Sequence, residues 1–360
     1  MAARTRYSST PLQNRANSIS AFYRFGSIIL SLILIVLLTV VSGESPLAVA
    51  AALWNGAFGT FDQIGRVVAT LSILLLCCSG LVFTFSAGLY NLGIEGQITA
   101  GAIAATWAIR TFANLQAPPE TTQVFPLVLS VVAGAIGGLL WGLLIGVLNV
   151  YGKISEIFAG LGMNFVAQGL SIYLIFGPWK RPGVASMSGT EPFNESLWMG
   201  RFGTTEATPV SLGLALLAIV ITIIIMRQSY FGLKLRAVGR NLRSSFILGI
   251  PATQHLLSAF AICGLMAGVA GSLQVTGNFH RLIPTISGSL GFLSLLVVML
   301  AGFNALFVLP VALFFSALNV GSLQLPLVLQ KVDSSLSGVI QGMLVLFALL
   351  GRGWAQKSRK

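Results

Sequence analysis

Residues 85–98 read FSAGLYNLGIEGQI and lie between two long apolar runs. Gly88, Gly93 and Gly96 break the backbone there, and Asn91, Glu95 and Gln97 bring hydrogen-bonding side chains into apolar surroundings. Two readings fit these residues. One is a short turn in which Asn91 caps the following helix and Glu95 sits at its positive end. The other is a broken segment lining a path, since irregular polar backbone at membrane depth is tolerated only inside protein or against a water-filled cavity. The choice depends on whether the flanking runs cross a membrane.

Composition answers that. The chain has 360 residues, 55% of them hydrophobic and 8% charged, with a mean hydropathy of +0.88. A soluble domain needs far more charge on its surface, so this is an integral membrane protein. The Leu, Ile, Val and Ala runs lack the two-residue alternation of membrane barrel strands, and helices satisfy their own backbone in lipid. The fold class is therefore all-α, a polytopic transmembrane helical bundle. Cys77, Cys78 and Cys263 all lie in apolar runs. Their spacing suits neither zinc nor a disulfide, so they read as small packing residues.

A span needs about 20 mostly apolar residues. The candidates are 26–42, 67–86, 94–112, 124–150, 157–176, 209–226, 252–275, 288–302, 304–320 and 335–350. About ten spans place both termini on one side. The pair 288–302 and 304–320 is short, with only Gly302, Phe303 and Asn304 at its turn. If the N-terminus is cytoplasmic, the inner basic residues are four in 1–26, Lys153, five in 227–250 and four in 351–360. The outer ones are Arg66, Lys180, Arg181, Arg201, Arg281 and Lys331, while Arg110 lies inside a span. This asymmetry makes both termini cytoplasmic. Acids lean outward: Glu44, Asp62, Glu120, Glu191, Glu195, Glu206 and Asp333 are outside, and only Glu95 and Glu156 are not. The segment 26–42 reads as a retained anchor, with a cleaved signal peptide as the alternative. A basic tail (1–25), a membrane domain (26–350) and a second basic tail (351–360) complete the organisation.

Gly134, Gly138, Gly142 and Gly146 share one helix face, and Gly264 and Gly268 repeat the spacing. Such stripes allow close helix approach within one subunit. The outer loop, 177–208, reads first as a solvated connector and second as a surface for a soluble partner. Residues 46–61 read as a helix lying at the outer interface. The inner loop, 227–250, interleaves Lys234, Arg236, Arg240 and Arg243 with Leu233, Leu235, Val238, Phe246 and Ile247. It suits either docking into a groove on another protein or lying on anionic headgroups.

Nothing in the chain powers work. Gly152-Lys153 is followed by Ile154, so there is no phosphate-binding loop, and HExxH, CxxC and GxSxG are absent. His255 and His280 read as structural or solvent-facing. Glu95 is the best intramembrane carboxylate, and one acid is thin support for ion coupling. An ion-coupled transporter or channel using Glu95 is the alternative reading.

A resemblance sharpens this. YNLGIEGQ resembles the FNIGxEGQ signature of permease subunits of bacterial ABC importers, in the nucleoside and simple-sugar branch. These are grouped with ribose-type and branched-chain amino-acid permeases. GLKLRAVGRNLRSSFILGI is similar to that family's GLxLRAVGxNxxAAxxAGI, where such permeases contact their ATPase. EIFAGLGMNFVAQGL resembles EVIxTIMLNYIA, and SGVIQGMLVLFALL resembles IIQGLIILF. The likeness runs in consistent order over roughly 44–350.

The resemblance implies a substrate path at Asn91, Gly93, Glu95, Gly96 and Gln97. Asn164 matches the Asn of MLNY, with Gln168 a turn later on the same face. It implies an ATPase-coupling segment at Gly232, Leu235, Arg236, Ala237, Val238, Gly239, Asn241 and Gly249. Ser244 and Ser245 replace paired alanines. AGFNAL (301–306) stands where relatives often carry LLGRNxP, without the arginine. The implied partners are a cytoplasmic ABC ATPase, a second permease (a homologue or a copy), an extracytoplasmic binding protein and the bilayer, with no nucleic acid and no cofactor. The implied place is the bacterial plasma membrane. The implied cargo is a neutral hydroxylated solute, a nucleoside before a sugar, which suits Asn and Gln as donors and acceptors.

Overall fold

The computed structural model describes residues 29–30, 33–37, 39–41, 43–113, 124–181, 183, 189–328 and 335–357. The N-terminal tail, Glu120, Lys331 and Asp333 lie outside the described residues. Every regular element described is helical. In chain order these are α1 (Pro46–Phe58), α2 (Phe61–Ser86), α3 (Ile94–Ala113), α4 (Val124–Val150), α5 (Glu156–Phe176) and α6 (Pro209–Gln228). Then come α7 (Tyr230–Arg240), α8 (Leu242–Ile247), α9 (Ala252–Leu273), α10 (Leu290–Leu300), α11 (Ala305–Gly321), α12 (Leu325–Val328) and α13 (Ser335–Lys357).

Six helices, counting the turn Gln274–Phe279 with α9 and α12 with α11, are long and apolar enough to cross a membrane among the described residues. A seventh is added if Ile33–Val41 and α1, bent by 101°, form one broken span. Besides 26–42, three of the ten expected spans fall outside these six: 335–350 lies in α13, whose apolar stretch Gly338–Gly351 is short, and two others stand apart for physical reasons. The segment 288–302 contains a helix of 11 residues, which at 1.5 Å per residue is about 16 Å, half a bilayer. α3 has the length but carries Glu95, Gln97 and Arg110. It needs no apolar surface of its own because neighbouring helices enclose most of it.

The chain divides into two compact units, Ala57–Val320 and a smaller one of Met1–Gly56 with Gly321–Lys360. In the larger unit α2 is buried along most of its length. Helices α3, α4 and α9 pack on one another, α2 packs on α6, α9 and α10, and α5 packs on α3. The glycine stripes fall between α4 and α9. A Cβ on Gly138 would run into the Gly264 carbonyl, and one on Gly142 would lie 2.5 Å from that of Phe260. These stripes are therefore spent inside the chain. The opposite face of α4 exposes Val132, Ile136, Leu140 and Leu144, as lipid contact requires. In the smaller unit, a Cβ on Gly56 would lie 2.6 Å from the Gly321 carbonyl.

Caps set the ends. Thr60 and Gln63 form a reciprocal capping box at the start of α2. Thr208 caps α6, followed by Pro209 in its first turn.

The outer loop is more than a solvated connector. Phe193 and Leu197 join Ile109, Ile175, Val275, Leu282 and Ile286 in a buried cluster. Its backbone is stitched to residues 276–282, with Phe193 N–H donating to the His280 carbonyl (2.8 Å) and Thr190 N–H to that of Leu282 (2.9 Å). The turn Gln274–Phe279 is π-helical, and His280 beyond it takes a left-handed φ of 53°. A widened turn of this kind re-aims the chain where α9 ends.

Candidate functional site

The YNLGIEGQ segment begins where α2 stops. Gly88 takes φ +79°, a left-handed value that ends the helix. Asn91, fully buried, then builds a tight turn. Its Oδ1 accepts from Gly93 N–H at 3.2 Å, and its Nδ2 donates to Gln97 Oε1 and Cys263 Sγ, each at 3.2 Å. Gly93 leaves room for α4 and α5: a Cβ there would strike Ile145 and lie 3.0 Å from Gly160 Cα. Asn164 of α5 closes the arrangement. Its Nδ2 donates to the Leu92 carbonyl and its Oδ1 accepts from Gly96 N–H, both at 2.8 Å. One amide thus satisfies two backbone groups that the break in the helix leaves open.

Glu95 reaches elsewhere. Its Oε1 accepts from Phe292 N–H at 2.8 Å, in the first turn of α10, and the Ser287 side chain bonds to the same carboxylate. A carboxylate against the unpaired N–H groups of a helix start is favourable. The helix-start reading therefore holds in altered form. Asn91 and Glu95 do satisfy helix starts, but the helix Glu95 serves is α10, nearly 200 residues along the chain.

Beside Glu95 lies a cavity of about 260 Å³ between α3, α5 and the turn before α10. Glu95, Asn164 and Gln168 line it, together with Thr99, Thr285 and Ser287, while Phe165 and Phe292 supply aromatic surface. Of the seven residues expected on the path, these three meet at the cavity. Asn91 and Gln97 sit in the buried core toward α9, and Gly93 and Gly96 sit in the α4–α5 contact behind the wall. Gln97 Nε2 is buried without a hydrogen-bond partner. Sequence reasoning missed Thr99, Thr285, Ser287 and Phe292. The polar run PTISGS (284–289) ahead of a short apolar stretch was the available signal.

The segment expected to couple to an ATPase forms two short helices. Ser229 Oγ accepts from Gly232 N–H (3.1 Å) to start α7, and Asn241 Oδ1 accepts from Ser244 N–H (3.0 Å) to start α8. Gly232, Leu235 and Val238 turn inward. A Cβ on Gly239 would strike the Ser86 carbonyl and one on Gly232 that of Ile225, so α7 lies directly on the ends of α2 and α6. Gly249, at φ +72°, closes α8. Arg236, Lys234, Arg240 and Arg243 are exposed beside Leu233, Phe246 and Ile247. His255 of α9 stacks on Phe231 of α7 at 5.4 Å.

On the outer side His280 stacks on Trp198, with ring centroids 3.9 Å apart and planes 9° apart. Arg201 lies over the Trp198 ring and donates to His280 Nε2, since a guanidinium can only donate. His280 Nδ1 then carries the proton and donates to the Thr276 carbonyl at 3.0 Å. Burial, reinforced by Arg201, pushes His280 down to about 4, so it is neutral at pH 7.

A polar cleft within a bundle of membrane-length helices, with a basic helix pair packed on the ends of two of them, suits a solute permease. Residues 63–349 match the family model described as branched-chain amino acid transport system / permease component. The chain belongs to this family and is a permease subunit of an ABC importer in the cell membrane. It is 29% identical to the guanosine ABC transporter permease protein NupP of Bacillus subtilis over 89% of this chain and 90% of that one. It is 25% identical to the nucleoside ABC transporter permease protein NupB of Lactococcus lactis over 78% of each. With the glucose ABC transporter permease protein TsgB13 of Haloferax volcanii it shares 26% over 81% of this chain and 76% of that one.

Proposed function

We propose that this permease passes a neutral nucleoside, with a simple sugar as the second choice, through the cavity beside Glu95. The lining carries the reading. Its neutral polar side chains are Thr, Ser, Asn and Gln, beside two aromatic rings, Leu161 and Pro284, and its one carboxylate is already engaged by Phe292 N–H and Ser287. Neutral donors and acceptors beside aromatic surface suit a base and its hydroxyls and offer a charged cargo no free counter-charge. The same engagement speaks against Glu95 as an ion-coupling acid. The relative named for guanosine shares 29% identity with this chain, against 26% for the one named for glucose.

Energy comes from a cytoplasmic ABC ATPase seated on α7–α8 through Arg236 and its neighbours. A second permease, homologue or copy, completes the path, and an extracytoplasmic binding protein delivers the cargo. Asn91, Gly93, Gly96 and Gln97 act behind the wall, holding the turn from which Glu95 projects. About ten crossings with both termini cytoplasmic fit the basic residues clustered at 1–26, 227–250 and 351–360. Uptake of radiolabelled guanosine and uridine by cells expressing this permease with its ATPase and binding protein tests the cargo. Saturable uptake competed by nucleosides and unaffected by ribose is expected. Competition by ribose alone moves the cargo to sugars, and no competition by either sinks the assignment.

A further inference from the structure

A second cavity, of about 210 Å³, lies away from the proposed path, between the ends of α2 and α6, α7 and the turn that opens α11. Its polar side chains are Ser86, Arg227, Arg236 and Asn304. All four can donate hydrogen bonds and none is a carboxylate. Asn304 Oδ1 is taken by Leu306 N–H at 3.2 Å, which leaves its NH₂ as the group still to be satisfied. Arg236 uses only Nε, on the Gly232 carbonyl at 3.2 Å, so its terminal nitrogens remain. Among the described residues the one ion pair is Arg66–Glu206, which involves neither Arg227 nor Arg236.

The rest of the lining is apolar, with Val82, Ile223, Met226 and Phe303 forming the floor. Phe303 is held there by a left-handed backbone (φ 62°) and by stacking on Phe85 at 5.0 Å. Beyond the cavity, α6 exposes Leu217, Val220 and Ile224, and α11 exposes Phe307, Leu309 and Leu313. The two guanidiniums therefore stand at the end of surfaces suited to hydrocarbon. A soluble anion would use the donors and leave the floor wet. A phospholipid with an anionic headgroup uses both, its phosphate between the guanidiniums and its glycerol and first methylenes against the floor.

We propose that this cavity is a binding site for the headgroup of an anionic phospholipid, seated on Arg227, Arg236 and Asn304 beside the coupling helix. The site is independent of the cargo and of the cavity beside Glu95; it shares Arg236 with the proposed ATPase seat, and is told apart from that seat at Arg227 and Asn304.

The test uses full-length protein in phosphatidylcholine nanodiscs, with phosphatidylglycerol of the same acyl chains titrated in and retained lipid counted by native mass spectrometry. Wild type is expected to retain one phosphatidylglycerol per chain in preference to phosphatidylcholine. Arg227→Gln should weaken retention roughly tenfold, the scale of one charge-assisted hydrogen bond, and Lys153→Gln, on a different loop, should not. Asn304→Asp keeps the acceptor for Leu306 N–H while placing a negative charge in the cavity, so it should abolish retention in a folded protein even if Arg227→Gln proves unstable. Equal retention of the two lipids by wild type, or undiminished phosphatidylglycerol in Asn304→Asp, overturns the proposal. So does displacement of the lipid by millimolar inorganic phosphate, which assigns the cavity to a soluble anion. A cavity that holds no lipid, but whose Arg227→Gln variant loses the ATPase on co-purification, is a protein-docking site and also overturns it.

Discussion

Asn164 and Gln168 sit one turn apart on α5 and line the same cavity, yet their roles separate. Asn164 bonds two backbone groups of the α3 entry, whereas Gln168 is exposed. Truncating Asn164 leaves the Leu92 carbonyl and Gly96 N–H without their partner, at about 1–3 kcal/mol each. Asn164→Ala should therefore lose about 2–6 kcal/mol in detergent unfolding. Gln168→Ala should shift stability by under about 0.5 kcal/mol and change the KM of uptake instead. If Asn164→Ala unfolds like wild type, the clamp is not what holds the turn. The pairing of the two amides on one face was legible from their spacing. What each bonds was not, because the partners come from a segment some 70 residues away. His280 carries a separate signal. Its pKa falls from 6.5 to about 4 on folding, so the unfolded chain binds its proton first and stability declines as pH drops from about 6.5 to 4. Full stability is present above pH 6.5, and below 4 the loss levels off at an order of 2–3 kcal/mol. Trp198 stacks on the ring, so the fluorescence difference between wild type and Trp198→Phe should change over that range. A pH-independent difference would show that the imidazole does not titrate there.

Elements were legible where the apolar run is long, enclosed or not, and harder to read where the helix is cut short. Helices α3, α4, α5, α6, α9 and α11 fall within two residues of their expected bounds, and α2 starts six residues early, because lipid demands about 20 apolar residues whatever the packing. α10 lies inside its expected 288–302, started two residues late by the left-handed backbone of Gly288 and Ser289 and by the carboxylate of Glu95, and its 11 residues are what keep it from spanning. The outer loop failed for a related reason, since its polar composition hides Phe193 and Leu197, which pack only once α3 and α9 are in place. In α7, the interleaving of basic and apolar residues suggested a docking or headgroup face without showing that Gly232, Leu235 and Val238 turn inward. Gly239 lies on the Ser86 carbonyl, so a methyl there must push α7 off the end of α2. Overpacking of this kind typically costs about 1–3 kcal/mol. Gly239→Ala should lose stability in that range together with uptake, whereas Arg236→Glu, exposed on the same helix, should leave unfolding nearly unchanged while uptake falls. Equal losses of stability in the two variants would remove the distinction between seat and contact.

At the scale of the whole molecule the question is where the work comes from. The chain supplies a polar cavity with a single carboxylate, and that carboxylate is bonded to the start of a half-length helix. In an importer driven through α7–α8, the group's task is to accept hydrogen bonds from Phe292 and Ser287 and so hold the 284–292 turn beside the cargo. An amide can still accept, at the loss of the charge–dipole attraction, about 0.3–1 kcal/mol near a helix start. A methyl group cannot. In proteoliposomes containing permease, ATPase and binding protein, Glu95→Gln should keep more than half of ATP-dependent uptake and Glu95→Ala should lose most of it. Collapsing proton and sodium gradients with ionophores should leave wild-type uptake unchanged. An ion-coupled carrier reverses both results, because its carboxylate must bind and release the driving ion, so Glu95→Gln would be as inactive as Glu95→Ala. Inactivity of Glu95→Gln together with ionophore sensitivity would move the energy source from the ATPase to the membrane gradient.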